Sequence, residues 1–546
     1  MDYEKERANF GLDTPEFYNF GFDVIDRRAR EADKTAFISV DRSGESIVHH
    51  RFSDLNRDSN RFANALRDMG VRKGDHAFVM IPRIPAWYHV MIGCIKAGVV
   101  SMPGTNLLMP KDIEYRINMA GAKVAIVTDG HVGKIEDIRS KCPSLEHLIV
   151  IGGEHDGWIG FESACASAPE TLDRNDLEPT RSEDTMLVYF TSGTTSMPKM
   201  VPRAHEYALA HTITGKYWMD LREEDIHWTL SDTGWAKAAW GMLFPQWQIG
   251  VANVLYDSDP RFDADAHLRL VEKLKVSTFC VPPTIYRLLV QENLDAYDLS
   301  SIRHSLAAGE PLNPEVMRIW KDKVGNEVHD GYGQTESVCL VANYPGMEIK
   351  PGSMGKPVPG IDISIVDDLG NVVAVNEIGN IAVRITDPHP PGLFHGYQKD
   401  EDATAKCIHH GWYFTGDMAT RDADGYFWFV GRNDDVISSS SYRISPFEVE
   451  STLLEHPAVM ESAVVGKPDE LRGEIVKAYI TLASGHAPSE DLKKDIQSFV
   501  KTHTAPYKYP REIEFRESLP KTISGKIRRV DLRNEAIKEA TCTAPS

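Results

Sequence analysis

The tightest constraint on this chain is an alternation of two periods. Short β-branched runs, HAFVMI (76–81), VAIVTD (124–129), HLIVIG (147–152) and STFCVP (277–282), are separated by stretches whose apolar residues recur at helical spacing. A strand that is apolar on both faces must be covered on both, and a helical connection between two such strands sets them side by side in parallel. The pattern predicts α/β layers. Leu55, Phe62, Leu66 and Met69 share one helical face over 52–70, with Ser53 placed to cap the start and Gly70 the end. The most apolar stretch, 90–102, contains Lys96 and is shorter than the ~18 residues a membrane span needs. It reads as a buried helix running into a strand.

The texture changes near Ile361, where DISIVDDLGNVV and NIAVRI alternate around a DDLGN turn, the mark of antiparallel hairpins. After YFWFVGR the polar tract NDDVISSSSYR precedes fresh helix and strand patterns, which places a domain junction at residue 433. At 546 residues the chain is several times the ~150 of a typical domain. The expected fold is α/β: stacked α/β subdomains plus a β-barrel-like lobe over 1–432, and a small C-terminal α+β domain over 433–546.

Hydrophobic residues at 42% and charged residues at 26% are the balance of a soluble globular protein. The formal net charge is −20 and no basic tract interrupts it, which argues against nucleic acid or an anionic membrane as partner, so any phosphate site must be built locally. Seven cysteines without CxxC or metal spacing read as reduced thiols. The opening MDYEKERANFG carries both signs of charge and no apolar core, unlike a secretory signal or an Arg-rich transit peptide. These features predict a cytoplasmic protein with no stable membrane insertion.

The sharpest chemical signal is TSGTTSMPK (191–199), which follows the apolar strand MLVYF. Thr191, Ser192, Gly193, Thr194 and Thr195 offer hydroxyls and unencumbered backbone N–H groups to a phosphate chain, and Lys199 adds a point charge. The same composition also describes a solvated turn, and the Walker spacing GxxxxGK[ST] is absent. The motif gains meaning from those that follow in order: HDGYGQTE (329–336), WYFTGD (412–417), GRNDDVI (431–437) and PKTISGK (520–526). Together they resemble the signature set of the adenylate-forming superfamily of acyl-CoA synthetases, luciferases and peptide-synthetase adenylation domains, over nearly the whole chain. SDTGW (231–235), SSSYRISPFEVE (439–450), TAPYKYPREIEF (504–515) and LPKTISGKIRR (519–529) are most similar to medium-chain acyl-CoA synthetases.

The resemblance implies ATP, Mg²⁺ and coenzyme A as co-substrates, a small carboxylic acid as substrate, and room for a homodimer. It implies that Tyr332 stacks on adenine, that Asp330, Gly331 and the turn through Ala308, Gly309, Glu310 and Pro311 meet its edge, and that Thr335 touches the α-phosphate. Glu336 would hold Mg²⁺, Asp417 both ribose hydroxyls, and Arg432 and Arg443 would lie near ribose and phosphates. Lys526 is implied as the catalytic ammonium, offsetting the charge that builds as a carboxylate attacks a phosphate. In the family the C-terminal domain is mobile, and Asp434 matches its hinge, with Ser440, Ser441 and Tyr442 on the path of the CoA arm. Ser196 and Ser441 stand where the family usually has glycine, which puts side chains on backbone that must approach a ligand.

Acetate-specific relatives carry tryptophan where this chain has Gly333, so an acid larger than acetate is expected, medium-chain, branched or aromatic. The run AKAAWGML (236–243) has no carboxylate to pair an amino-acid substrate, and Trp235, Ala236 and Trp240 suggest an apolar pocket. Lys237 within it either snorkels outward or meets a polar substrate group. Three other readings share the adenylation motifs: an acyl-AMP ligase that loads a carrier protein, a non-catalytic protein that binds AMP or acyl-AMP, and luciferase-type oxidation.

Overall fold

A computed structural model describes residues 3–542 except 192–196, 260, 311, 441, 470 and 523–525. Two large sheets organise the N-terminal part. One has seven strands, in the order Ile159–Gly160, His147–Ile151, Val124–Thr128, His76–Met80, Val100–Pro103, Thr185–Thr191, Lys199–Ala204, all parallel except the last pair. The other has nine, with a parallel centre of Val328–Gly333, His304–Ala308, Thr278–Val281, Ile226–Thr229, Ala252–Tyr256 and Thr35–Val40 and antiparallel strands at both edges. All four β-branched runs quoted above are strands, and their burial on both faces explains why they lack a polar alternation.

The cover helix spans Phe52–Asp68 and buries Leu55, Phe62 and Leu66. Ser53 is not its cap: it lies inside the first turn, where its hydroxyl and N–H both donate to Asp33, at 3.0 and 2.9 Å. The free N–H at the start, that of Arg51, is taken instead by Asp54 at 2.9 Å. The apolar stretch forms the helix Pro85–Ala97 and the strand Val100–Pro103, and Lys96 is buried against Asp26 at 2.7 Å. Among the described residues no helix is long and apolar enough to cross a membrane.

Beyond Ile361 the strands Ile363–Val366, Gly379–Arg384, Ile408–His409, Trp412–Arg421 and Phe427–Arg432 make an antiparallel sheet. The change of sheet falls between Arg432 and Ile437. From there Ile437–Ser439, Tyr442–Ile444, Val459–Asp469, Gly473–Leu482 and Glu512–Phe515 build a sheet among themselves. Helices Pro446–Leu454 and Glu490–His503 supply Val449, Leu453, Ile496 and Val500 to a core made from residues of this segment alone, as an independently packed lobe requires.

Candidate active site

The parallel strands His304–Ala308 and Val328–Gly333 run in register, Ala307 opposite Asp330 and Ala308 opposite Gly331, so the turn after the first and the HDGYG motif of the second meet at their carboxyl ends. That is where open α/β sheets bind ligands. Gly309 takes φ +113°, a conformation that disfavours a side chain, and Gly331 lets Trp218 close in, since a Cβ there would stand 2.4 Å from the indole. The Glu310 carboxylate is turned into the protein, where it accepts the Thr284 N–H at 2.9 Å and the Thr284 hydroxyl and faces Arg287 at 3.8 Å. It anchors the turn, while Asp330, bonded to the Gly331 N–H at 3.0 Å, is pushed up to about 7 by burial.

Asp417 faces this turn from the antiparallel lobe. Its Oδ2 accepts from the Tyr332 hydroxyl and from Gln334 Nε2, both at 2.7 Å, and Gln334 is itself held by Thr415 O at 2.9 Å and the Tyr413 hydroxyl at 2.8 Å. Burial raises Asp417, and Arg432, its register partner on the next strand, works against that rise. Tyr332 and Asp417, 85 positions apart in sequence, are thus one hydrogen-bonded unit. Gln334 is the member that motif reading left unassigned, although it stands inside HDGYGQTE.

Thr191 and Lys199 pair across the antiparallel strands that bracket the Ser/Thr/Gly loop. Ser192, Gly193, Thr194, Thr195 and Ser196 of that loop, with Pro311 and Ser441, lie outside the described residues. Lys199 sits over the ring of Tyr397, 4.7 Å from Nζ to centroid, and the Tyr397 hydroxyl donates to Glu336 Oε1 at 2.8 Å. The buried Arg203 donates to the Glu336 backbone carbonyl at 2.7 Å and to Gly392 O. Burial raises Glu336, opposed by the Tyr397 hydrogen bond and the Arg203 charge, so a cation beside it would favour the ionised form. Thr335 is half-buried next to it. No group of three or more His, Cys, Asp or Glu side chains suited to a metal occurs among the described residues. Glu336 offers a single hard carboxylate, a donor that suits an ion such as Mg²⁺, which uses one or two carboxylates together with substrate phosphates.

Of the residues expected to line an acyl pocket, Lys237 reaches the turn. Lys237 does not snorkel outward: its Nζ donates to Ala308 O at 3.1 Å, and burial lowers its pKa, with Cys280, Lys526, Glu310 and Asp330 as charged or titratable neighbours. The space left by Gly333 is not empty. A Cβ there would stand 2.3 Å from the Trp240 ring, so this indole, tied through Nε1 to the Tyr207 hydroxyl at 3.2 Å, occupies the room a side chain at 333 would take. Trp235 and Ala236 are half-buried at the start of the same helical run.

From the last lobe comes Lys526. Its residue keeps solvent contact, yet the walls around the amine lower its pKa by desolvation, against the pull of Glu310 and Asp417. The structure thus brings Lys526, Glu310, Asp417, Arg432 and Lys237 into one electrostatic neighbourhood. Arg432 and Asp434 are exposed and 3.8 Å apart. Ser440, Tyr442 and Arg443 form a second group on the terminal sheet. Ser440 has φ +57° and donates its N–H to Arg472 O at 2.7 Å, Tyr442 stacks on Tyr507 at 4.0 Å, and Arg443 is exposed opposite Ser438.

The turn after Ala308, two buried carboxylates and a lysine from a separate lobe thus lie near one another. The chain belongs to the AMP-binding enzyme family, whose model matches residues 25–398, and the model of the AMP-binding enzyme C-terminal domain matches 448–526. Within it the full-length similarity runs to acyl-coenzyme A synthetases. The mitochondrial acyl-coenzyme A synthetase ACSM3 of Rattus norvegicus is 42% identical over 99% of this chain and 94% of its own length. The mitochondrial ACSM5 of Homo sapiens is 45% identical over 95% and 91%. A solved anthranilate CoA ligase in complex with anthranoyl-AMP superposes with a TM-score of 0.88 at 33% identity, over 97% of this chain and 99% of that one. The expectation of a cytoplasmic protein is corrected by these comparisons, because the curated relatives are mitochondrial enzymes. Free thiols suit any reducing compartment and do not single out the cytoplasm.

Proposed function

We propose that this protein is an AMP-forming acyl-CoA synthetase. A carboxylate oxygen of the acid attacks the α-phosphorus of ATP, pyrophosphate leaves, and acyl-AMP forms. The thiol of coenzyme A then attacks the acyl carbon, its proton is released, and AMP departs. The observation that carries the reading is the Lys526 amine, held on a lobe with its own core yet within electrostatic reach of Glu310 and Asp417.

In this reading the adenine edge is met by Asp330 and the turn through Gly309, and the adenine face by the Tyr332 ring, whose hydroxyl is fixed on Asp417. Asp417 takes the ribose hydroxyls, a bidentate task for a carboxylate already oriented by Tyr332 and Gln334. Thr191 and Lys199, with the hydroxyl-rich segment between them, are assigned to the phosphates, and Thr335, Arg432 and Arg443 to the phosphates and ribose. Glu336 would hold Mg²⁺, and the bound ion would neutralise phosphate charge. Lys526 bridges carboxylate and α-phosphate, where two anions meet in the transition state and a pre-placed ammonium offsets them. Desolvation lowers the Lys526 pKa, while the charges of Glu310 and Asp417 work in the opposite direction and favour the ammonium form.

The two steps need two arrangements, and we place the hinge at Asp434, at the change of sheet, with 1–432 as the nucleotide and acyl domain and 433–546 as the moving one. The acid is held by an apolar wall of Trp240, Trp235 and Ala236, with medium-chain, branched and aromatic acids as candidates. Because Trp240 fills the room beside Gly333, an acid larger than acetate is inferred from the likeness to known ligases and not from an open space there. The likeness to an anthranilate CoA ligase supports the inclusion of rings. The deciding experiment is a panel of short to medium, branched and aromatic acids scored for pyrophosphate release with and without coenzyme A. Acid-dependent release with acyl-CoA formed only when the thiol is present supports the reading. Acyl transfer to a carrier protein but never to coenzyme A, or no release with any acid, overturns it.

A further inference from the structure

The hairpin that carries Lys526 is tied at both arms. Within it, the Thr522 N–H donates to Lys526 O at 2.7 Å, the Lys526 N–H returns to Thr522 Oγ1 at 3.1 Å, and the Arg528 N–H reaches Pro520 O at 2.9 Å. Outside it, Lys521 Nζ lies 2.9 Å from Glu461 Oε1 on the strand Val459–Asp469. The other arm ends in Arg529, whose Nε and Nη2 donate to the two oxygens of Glu450 at 3.0 and 2.5 Å. Glu450 is 6% exposed on the helix Pro446–Leu454, and its Oε1 also accepts the Val464 N–H at 2.8 Å. Three donors therefore converge on one buried carboxylate, two of them from the residue three places after Lys526. A planar fork of this kind fixes the orientation of the guanidinium as well as its position.

We propose that Glu450, acting through Arg529, is a positioning residue that aims Lys526 at the nucleotide turn in the first half-reaction and has no part in the second. The inference rests on the adenylating role given to Lys526 above. A lysine side chain is long and rotatable, so its amine is useful only where the backbone beneath it is held, and a misplacement of about 1 Å can cost on the order of 10²-fold in rate. Glu450 and Arg529 both belong to the lobe that moves and travel together. Their fork matters when Lys526 is in use and becomes idle when the lobe turns to present the CoA path. Glu310 of the nucleotide turn joins Glu450 in offsetting the desolvation of Arg529.

Glu450→Gln keeps the shape and the acceptor for Val464 but loses the charge and half of the fork. The expected result is a loss of about ten- to hundred-fold in the kcat of acid-dependent ATP–pyrophosphate exchange, with the KM for the acid unchanged. Thioester formation from supplied acyl-AMP and coenzyme A keeps the wild-type rate. Arg529→Lys, which retains a positive charge without the planar fork, shows the same split and decides the matter if the glutamine variant does not fold. Equal loss of both half-reactions, or undiminished exchange, overturns the proposal. Wild-type protein is assayed beside the variants, and absence of exchange there would overturn the functional reading itself.

Discussion

Replacing Asp330 by Asn should change how stability depends on pH, in a direction opposite to that of an ordinary paired carboxylate. Burial pushes the Asp330 carboxyl from 3.8 to about 7, while the unfolded chain releases this proton near 3.8. Between those values the folded state holds the extra proton, so the contribution of Asp330 to stability is full below the unfolded value and is lost as pH rises toward 7. At about 1.36 kcal/mol per pH unit the displacement is worth roughly 4 kcal/mol, a ceiling that local relaxation lowers. The whole-protein curve does not isolate this, because burial lowers His89, His205 and His267 to about 4 and His227 and His304 to about 3. Those neutral imidazoles make stability rise with pH over much of the same window. The difference between wild type and Asp330→Asn removes them, since the amide retains an acceptor for the Gly331 N–H but does not titrate. Urea unfolding of ligand-free protein at several pH values between about 4 and 8 gives that difference. The advantage of wild type over the variant should shrink by several kcal/mol from the acid to the neutral end. A pH-independent difference refutes the buried-carboxyl reasoning, and one that grows with pH means that Lys237 holds Asp330 ionised.

Three further outcomes follow from the same geometry. Trp240→Ala should cost ~3–5 kcal/mol of stability and shift kcat/KM toward longer or ring-bearing acids, because this indole fills the space beside Gly333; an unchanged acid profile removes Trp240 from the pocket. Tyr397→Phe strips a donor from the buried Glu336, a loss of about 1.5–3 kcal/mol for a charged acceptor, so ATP binding with Mg²⁺ measured by calorimetry should weaken by roughly tenfold or more. Undiminished affinity would show that Glu336 is supported by other groups. Asp434→Pro fixes the backbone at the change of sheet and should preserve pyrophosphate exchange while crippling acyl-CoA formation; equal loss of both steps argues against a hinge there.

What could be read from the residues before the fold was known follows a physical division. Strands buried on both faces announce themselves locally, which is why the runs at 76, 124, 147 and 277 were legible. Tyr332 and Asp417 were legible as motif members, but their hydrogen bond was not, since it depends on how two sheets meet. Tyr397 and Arg203 carried no local signal at all: a tyrosine and an arginine become parts of a site only because Glu336 is brought to them. Ser53 misled as a cap because the competing acceptor, Asp33, comes from 20 positions upstream. Lys237 and Gly333 show the same limit, where composition reveals a charge or a missing side chain and only packing reveals the Ala308 carbonyl and the Trp240 ring that meet them.

In the proposed mechanism one mobile ammonium makes the adenylate and is dispensable afterwards. Lys526→Ala assayed in each half-reaction tests it directly. Acid-dependent ATP–pyrophosphate exchange should fall by at least ~10²-fold, while supplied acyl-AMP and coenzyme A are converted to thioester at close to the wild-type rate. Near-normal exchange in the variant would contradict the account.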